Sequence, residues 1–343
     1  MDFTIAAILG LDGLTNGAIY ALVALALVLV FSVTRIIFIP QGEFVAFGAL
    51  TLAALQMGKV PGTVWLLLMM AVAAALLDLL QGLRERQRPA RLALQLGRTL
   101  ALPVVIAVLA PLVVQQALVV QVLATLAIVT AMGPLLYRLA YRALSGASVL
   151  TLLIVSVGVH FALTGVGLVF FGAEGYRTPA FWDARFDVGP LSLTGQTLII
   201  FGASVALLVA MAVFFERTLT GKALRATSVN RTGARLMGIS GDAAGSLSFT
   251  MAAFIGALSG LLISPSTTIY YDTGFLIGLK GFVAAVFGGL ASFPMALAGA
   301  IGVGLIESFG SFWASAFKEV IVFTVILPIL LWRSFVDPHH EEH

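Results

Sequence analysis

The chain has 343 residues, of which 60% are hydrophobic and only 10% charged, with a formal net charge of +3. An ordinary soluble domain carries about 25% charged residues, so the composition is that of a polytopic membrane protein, whose apolar runs leave no room for a separate soluble domain. Cysteine is absent, which excludes disulfides and thiolate metal sites, and the positive charge forms no basic stripe suited to nucleic acid.

The N-terminal MDFTIAAILGLDGL has neither a basic n-region nor a small-residue cleavage site, so the first apolar run is expected to be a retained helix. Residues 11–33 form the first span, closed by Arg35. The next apolar segment is interrupted by Pro40, Gln41, Gly42 and Glu43. Proline removes a backbone donor and glycine loosens the helix, so a broken or re-entrant element is expected there. Residues 65–80 are a third apolar run, with Asp78 near its end. Residues 82–98 carry five arginines and one glutamate; by the positive-inside rule they form a basic cytosolic loop that can include a surface helix. Residues 99–136 then cross twice, as a hairpin turning near Gln115 and Gln116.

Residues 149–171 are a clean span. Residues 172–196, with two basic and three acidic residues among Tyr, Phe and Trp, suit an outer (periplasmic) loop and its aromatic belt. Residues 197–215 return inward, and 243–263 cross again. A second outer loop, SPSTTIYYDTG, precedes a glycine-rich segment with Pro294 that reads as another broken element. Residues 317–332 are the last span, followed by Arg333 and the polar tail DPHHEEH. GEFVAFGAL (42–50) echoes KGFVAAVFGGL (280–290). Paired interrupted helices in the two halves of a membrane chain point to a transport pathway. The fold expected is an all-α polytopic membrane protein, one domain over 1–343, with about 8 to 10 transmembrane segments, broken or re-entrant helices and an internal pseudo-repeat.

Enzyme signatures are missing. No HExxH, GxSxG or paired-cysteine pattern occurs. Gly58 with Lys59, and Gly221 with Lys222, lack the remainder of a phosphate-binding loop, so any ATP must be bound by another chain. Ionisable groups within spans are functional candidates because lipid burial is costly. Glu43, at the Pro/Gly break, is either such a group or a carboxylate capping a half-helix. Lys280 is expected to snorkel, His160 to be a hydrogen-bonded packing residue without an ionisable neighbour at helical spacing, and Asp78 and Glu307 to reach water. Gly256 with Gly260, Gly281 with Ala285, and Ala298 with Gly302 are small-residue pairs that let helices approach closely.

Residues 216–242, ERTLTGKALRATSVNRTGARLMGISGD, hold Arg217, Lys222, Arg225, Arg231 and Arg235. At roughly 2.5 to 3.5 kcal/mol for each at a bilayer centre, these five charges place the segment outside the membrane, as a cytosolic loop. Asn230 is a helix cap and Gly238 a stop, bounding two turns in which Arg231 and Arg235 stack while Ala234, Leu236 and Met237 form an apolar side. So short an amphipathic helix needs a surface to dock on, either a partner chain or the anionic inner leaflet.

Four blocks, in order, resemble the LivH-type permease subunit of branched-chain amino-acid ABC importers: GLTNGAIYALVALALVLVFSVTRIIF (13–38), YRALSGASVLTLLIVSVGVHFAL (141–163), GKALRATSVNRTGARLMGIS (221–240) and GLKGFVAAVFGGLASFPMALAGAIGVGLIES (278–308). The resemblance implies a multi-pass subunit of the bacterial inner membrane. Its implied partners are a LivM-type second permease, two cytosolic ATPase subunits that bind the ATP, a periplasmic amino-acid-binding protein, and lipid. No cofactor is implied in this chain. It further implies that residues 223–238 are the segment coupled to an ATPase, with Lys222, Leu224, Arg225, Asn230, Arg231, Arg235, Leu236 and Gly238 as its contacts. The translocation path is expected near Gln41, Gly42 and Glu43 and near Gly278, Lys280 and Gly281. The family's block Asn-Phe-Ala-His-Gly followed by an acid reads here as residues 37–43, keeping Phe38, Gly42 and Glu43 but losing Asn, Ala and His. The basic loop and apolar hairpin at 82–130 are a second departure. The alternative reading is a self-sufficient ion-coupled transporter using Glu43, His160 or Glu307.

Overall fold

The computed structural model describes residues 3–331 except Gln87, Pro190, Ile326 and Leu330. The expected Trp332, Arg333 and polar tail lie outside the described residues. Helix α1, Phe3–Thr34, is the axis of the bundle: every residue from Ile19 to Val30 is buried. A helix apolar on all sides stands either in lipid or inside a bundle, and this one is enclosed by its neighbours over that stretch. Arg35, with φ of 58°, ends it, and residues 36–40 run back without helical structure into the protein, where Phe38 packs against Phe44, Tyr141 and Phe249. The chain then starts α2, Gln41–Gln56, directly after Pro40.

Helix α3, Gly62–Arg84, and α4, Pro89–Val113, are joined by a short turn, so the expected loop at 82–98 is largely helix. The reason is local. Arg, Leu, Ala and Gln are good helix formers, and Pro89 sits at the first helical position, where its missing N–H costs nothing. α4 and α5, Leu118–Leu136, form a hairpin turning at Gln115 and Gln116. A single π-helical turn, Tyr137–Tyr141, continues α5. α6, Val149–Phe171, is capped by Ser148, whose hydroxyl accepts from Thr151 N at 3.2 Å.

The expected outer loop at 172–196 contains a feature that the all-α reading omitted, an antiparallel hairpin of β1, Arg185–Val188, and β2, Leu191–Thr194. Tyr176 and Ile269 pair as an isolated bridge, tying this loop to the one at 264–272. α7, Gly195–Arg217, returns to the basic end, where α8, Leu219–Val229, and α9, Arg231–Leu236, follow. The sequence had pointed only to the second of these two. α10, Gly241–Ile263, crosses again. α11, Thr273–Phe287, is a second short helix, and a turn at 288–292 carries the chain into α12, Phe293–Ala314, with Pro294 in its first turn. α12 runs antiparallel to α1 in tight contact: a Cβ on Gly13 would lie 2.9 Å from the Leu305 Cα. The chain turns at Ser315–Phe317 and starts α13, Lys318–Thr324, where the last span was expected to begin.

Among the described residues, eight helical stretches are long and apolar enough to cross a membrane, in the range expected from the sequence. α2 and α11 are the interrupted elements of the two halves. Their echoing residues differ in position, since Gly42 opens α2 while Gly281 lies well inside α11.

Candidate functional site

Two polar residues fix the depth at which α2 begins. Gln41 donates from Nε2 to the carbonyl of Ala252 at 3.0 Å, and Ala252 is the midpoint of α10. Glu43 Oε1 lies 2.6 Å from Nδ1 of His160, the midpoint of α6. α2 therefore starts halfway through the bundle. Its first turn presents backbone N–H groups and a carboxylate at a depth where neither can reach bulk water.

Glu43 and His160 are 1% and 6% exposed. The expectation that His160 lacks an ionisable partner is thus overturned: its partner is 117 residues away in sequence, so helical spacing could not reveal it. Phe275, in the first turn of α11, stacks on the imidazole with centroids 4.5 Å apart and an interplanar angle of 26°, and Thr164 Oγ1 lies 3.5 Å from Nδ1. Glu43 Oε2 and Gln41 Oε1 are buried without a hydrogen-bond partner among the described residues. Gly42 makes the crossing of α2 and α11 possible. A Cβ there would overlap the Gly274 carbonyl oxygen, and Gly278 closes the same contact. The structure thus gathers Gln41, Gly42, Glu43 and Gly278 around one point.

Lys280 and Gly281 face elsewhere. Lys280 does not snorkel: it is 5% exposed, 2.6 Å from Glu307 and 3.1 Å from Glu319. Tyr20 donates to the other Glu307 oxygen at 2.5 Å. This cluster ties α1, α11, α12 and α13 together, and Glu307 is buried in it instead of reaching water. Gly281 packs against Val23 and Ala24 of α1. Asp78 is likewise buried, in an ion pair with Arg138 and hydrogen bonds of 2.9 Å from Gln95 and Thr99. An ionisable group withdrawn from water needs a partner, and each of the three places supplies at least one to its buried carboxylate.

The basic end is built differently. Thr218 caps α8, accepting from Gly221 N at 2.9 Å, and Asn230 caps α9, accepting from Gly233 N at 2.8 Å. Gly238, at φ of 82°, ends the second helix as its position predicted. Leu224 is buried under α8 and is no surface contact; its residue type already favours the inner side of an amphipathic helix. Arg231 turns inward to donate to the Val33 carbonyl at 2.7 Å. Burial, then the nearby Arg35 and Arg235, push its guanidinium below its ordinary pKa. Lys222, Arg225, Asn230, Arg235, Leu236 and Gly238 remain exposed. So do Leu219, Val229 and Met237, each more than four-fifths accessible. An open cleft of about 750 Å³ lies between α8 and α9, lined by Lys222, Arg225, Val229 and Met237 among others. The sequence signal for α8 was Thr218, a cap residue just before a run of helix formers.

The amino-acid sequence that builds these half-helices and the helix pair at the basic end has relatives. Residues 9–330 match the family model described as the branched-chain amino acid transport system / permease component. The chain belongs to that family. The permease is 25% identical over 336 residues to the high-affinity branched-chain amino acid transport system permease protein BraD of Pseudomonas aeruginosa, covering 94% of this chain and 92% of the relative. It is 28% identical over 211 residues to the corresponding permease protein LivH of Escherichia coli, covering 60% of this chain and 68% of the relative.

Proposed function

We propose that this permease is one half of the translocation pathway of an ATP-binding-cassette importer for branched-chain or related amino acids in a bacterial inner membrane. It works without an ATPase site of its own. The basic end faces the cytosol, where two ATPase subunits bind the ATP; a LivM-type permease supplies the other half of the path, and a periplasmic binding protein delivers substrate. The observation that carries this reading is the α8–α9 pair: both helices are capped, α8 rests on α1 and α10, Leu219, Val229, Leu236 and Met237 are bare, and Val229 and Met237 line an open cleft. Exposed apolar side chains on an extramembrane helix rimmed by cations fit a groove on a partner protein better than water.

Within the bundle, the reading assigns the path to the crossing of α2 and α11. There, half-helix N-termini and a few polar groups among apolar walls offer a zwitterion weak holding points, as passage without trapping requires. The Glu43–His160 pair holds the start of α2 in place, and movement of α8–α9 reaches this crossing through α1, to which Arg231 is tied at Val33. Proteoliposomes containing this chain with its companion permease and ATPases should take up leucine only with internal or external ATP at the ATPase face. Uptake by this chain alone, abolished by a protonophore and indifferent to ATP, would instead establish an ion-coupled transporter built on Glu43, His160 or Glu307.

A further inference from the structure

Between α4, α5 and the start of α10 lies a groove of about 850 Å³, lined by none of the residues at the α2–α11 crossing. Its mouth at the basic end is lined by Arg91, Arg98, Arg138 and Arg142, and its walls continue as Leu102, Pro103, Ala131, Pro134 and Leu135. Arg91, Gln95, Arg98 and Leu102 fall on one face of α4 by the helical period. Two of the arginines are already matched: Arg138 pairs with Asp78, and Arg142 with Asp242 at 2.9 Å. Arg91 and Arg98 are exposed and have no ion-pair partner among the described residues. Four cations against two carboxylates leave the mouth with two surplus positive charges.

The remainder of α4 says what surrounds the groove. Only Pro103 and Ala110 of that helix are buried, whereas Val104, Val105, Val108, Leu109 and Leu112 are exposed along it. An outer helix that is apolar beyond its first three turns stands in lipid. A groove with cations at the membrane face and apolar walls toward the interior matches an amphiphile in the same order, phosphate above and acyl chains below. Guanidinium groups suit a phosphodiester through paired N–H donors, and basic recesses between membrane helices favour anionic headgroups. We propose that this groove binds an anionic glycerophospholipid, with Arg91 and Arg98 on its phosphate and Leu102 and Leu135 along its chains. The α3–α4–α5 hairpin region then serves as a lipid-held collar, which gives the departure at 82–130 a role.

The test uses the full-length chain purified in detergent and stripped of lipid, titrated with phosphatidylglycerol or phosphatidylcholine while bound lipid is counted by native mass spectrometry. We expect saturable binding of phosphatidylglycerol, little of phosphatidylcholine, and no competition from inorganic phosphate. In Arg91→Ala with Arg98→Ala, phosphatidylglycerol affinity should fall roughly thirtyfold, at two cation contacts of ordinary strength. Both side chains are exposed, so the lipid-free melting temperature of this variant should match that of the parent; Arg91→Lys with Arg98→Lys, which keeps the charge and loses the paired donors, should bind between the parent and the double alanine variant. Equal binding of the two lipids, unchanged binding by the double alanine variant, or displacement by inorganic phosphate would overturn the proposal. So would crosslinking from position 98 to a partner protein in the assembled transporter.

Discussion

Glu43 and His160 hold each other at 2.6 Å where water does not reach, while Arg235, Leu236 and Met237 stand free at the basic end of the same bundle. The two regions carry their polar groups for opposite reasons. At the centre, the buried ionisable groups face partners inside the chain, because a charge left alone there costs several kcal/mol; substitutions should be felt first as lost stability. At the basic end solvent screens the charges, the helices rest on their caps and inner faces, and Arg235, Leu236 and Met237 have no ion-pair or hydrogen-bond partner for their side chains among the described residues. Substitutions there should leave the fold intact and act only on what docks.

The sharpest break of that contrast is Glu43→Ala, which leaves His160 buried without its carboxylate. About 3 to 5 kcal/mol of stability should be lost, read as a large drop in the melting temperature of the purified chain. Adding His160→Leu should recover part of it, and strict additivity of the two changes would mean the pair is not coupled. Gly42→Val comes next. Its side chain meets the Gly274 backbone, which cannot swing aside, so the cost should reach the upper end of the roughly 1 to 3 kcal/mol typical of overpacking, seen as poor recovery of monodisperse protein. Arg231→Glu is intermediate, because the bond to the Val33 carbonyl is lost; about 1 kcal/mol is expected. Arg235→Glu should change stability by no more than about 0.5 kcal/mol yet weaken ATP-dependent uptake. A melting shift for Arg235→Glu as large as that of Glu43→Ala would erase the distinction between the two regions.

The same contrast explains what could be read from the amino-acid sequence. Five cations in 216–242 and the Pro40–Gly42 interruption act locally, through transfer cost and backbone geometry, so the break in the apolar pattern at 216–242, the cap at Asn230 and the broken second segment were all legible. The pairs Glu43–His160, Lys280–Glu307 and Asp78–Arg138 were not. Their members are 117, 27 and 60 residues apart on different helices, and only packing makes them neighbours. Lys280 and Glu307 therefore read separately as groups seeking water, although each is the reason the other is buried. The residue types at 82–98 also misled: arginines signalled a loop, but they are good helix formers and extend from the ends of α3 and α4 without unwinding them.

Coupling through α8–α9 is tested most directly by Leu236→Asp with Met237→Asp, two exposed positions, assayed in proteoliposomes that hold the assembled transporter and its binding protein. The predicted result is an assembled, thermally unchanged complex that still hydrolyses ATP and no longer takes up leucine. Leucine uptake at the parent rate would contradict the assignment of this helix pair as the place where ATP hydrolysis acts on the permease.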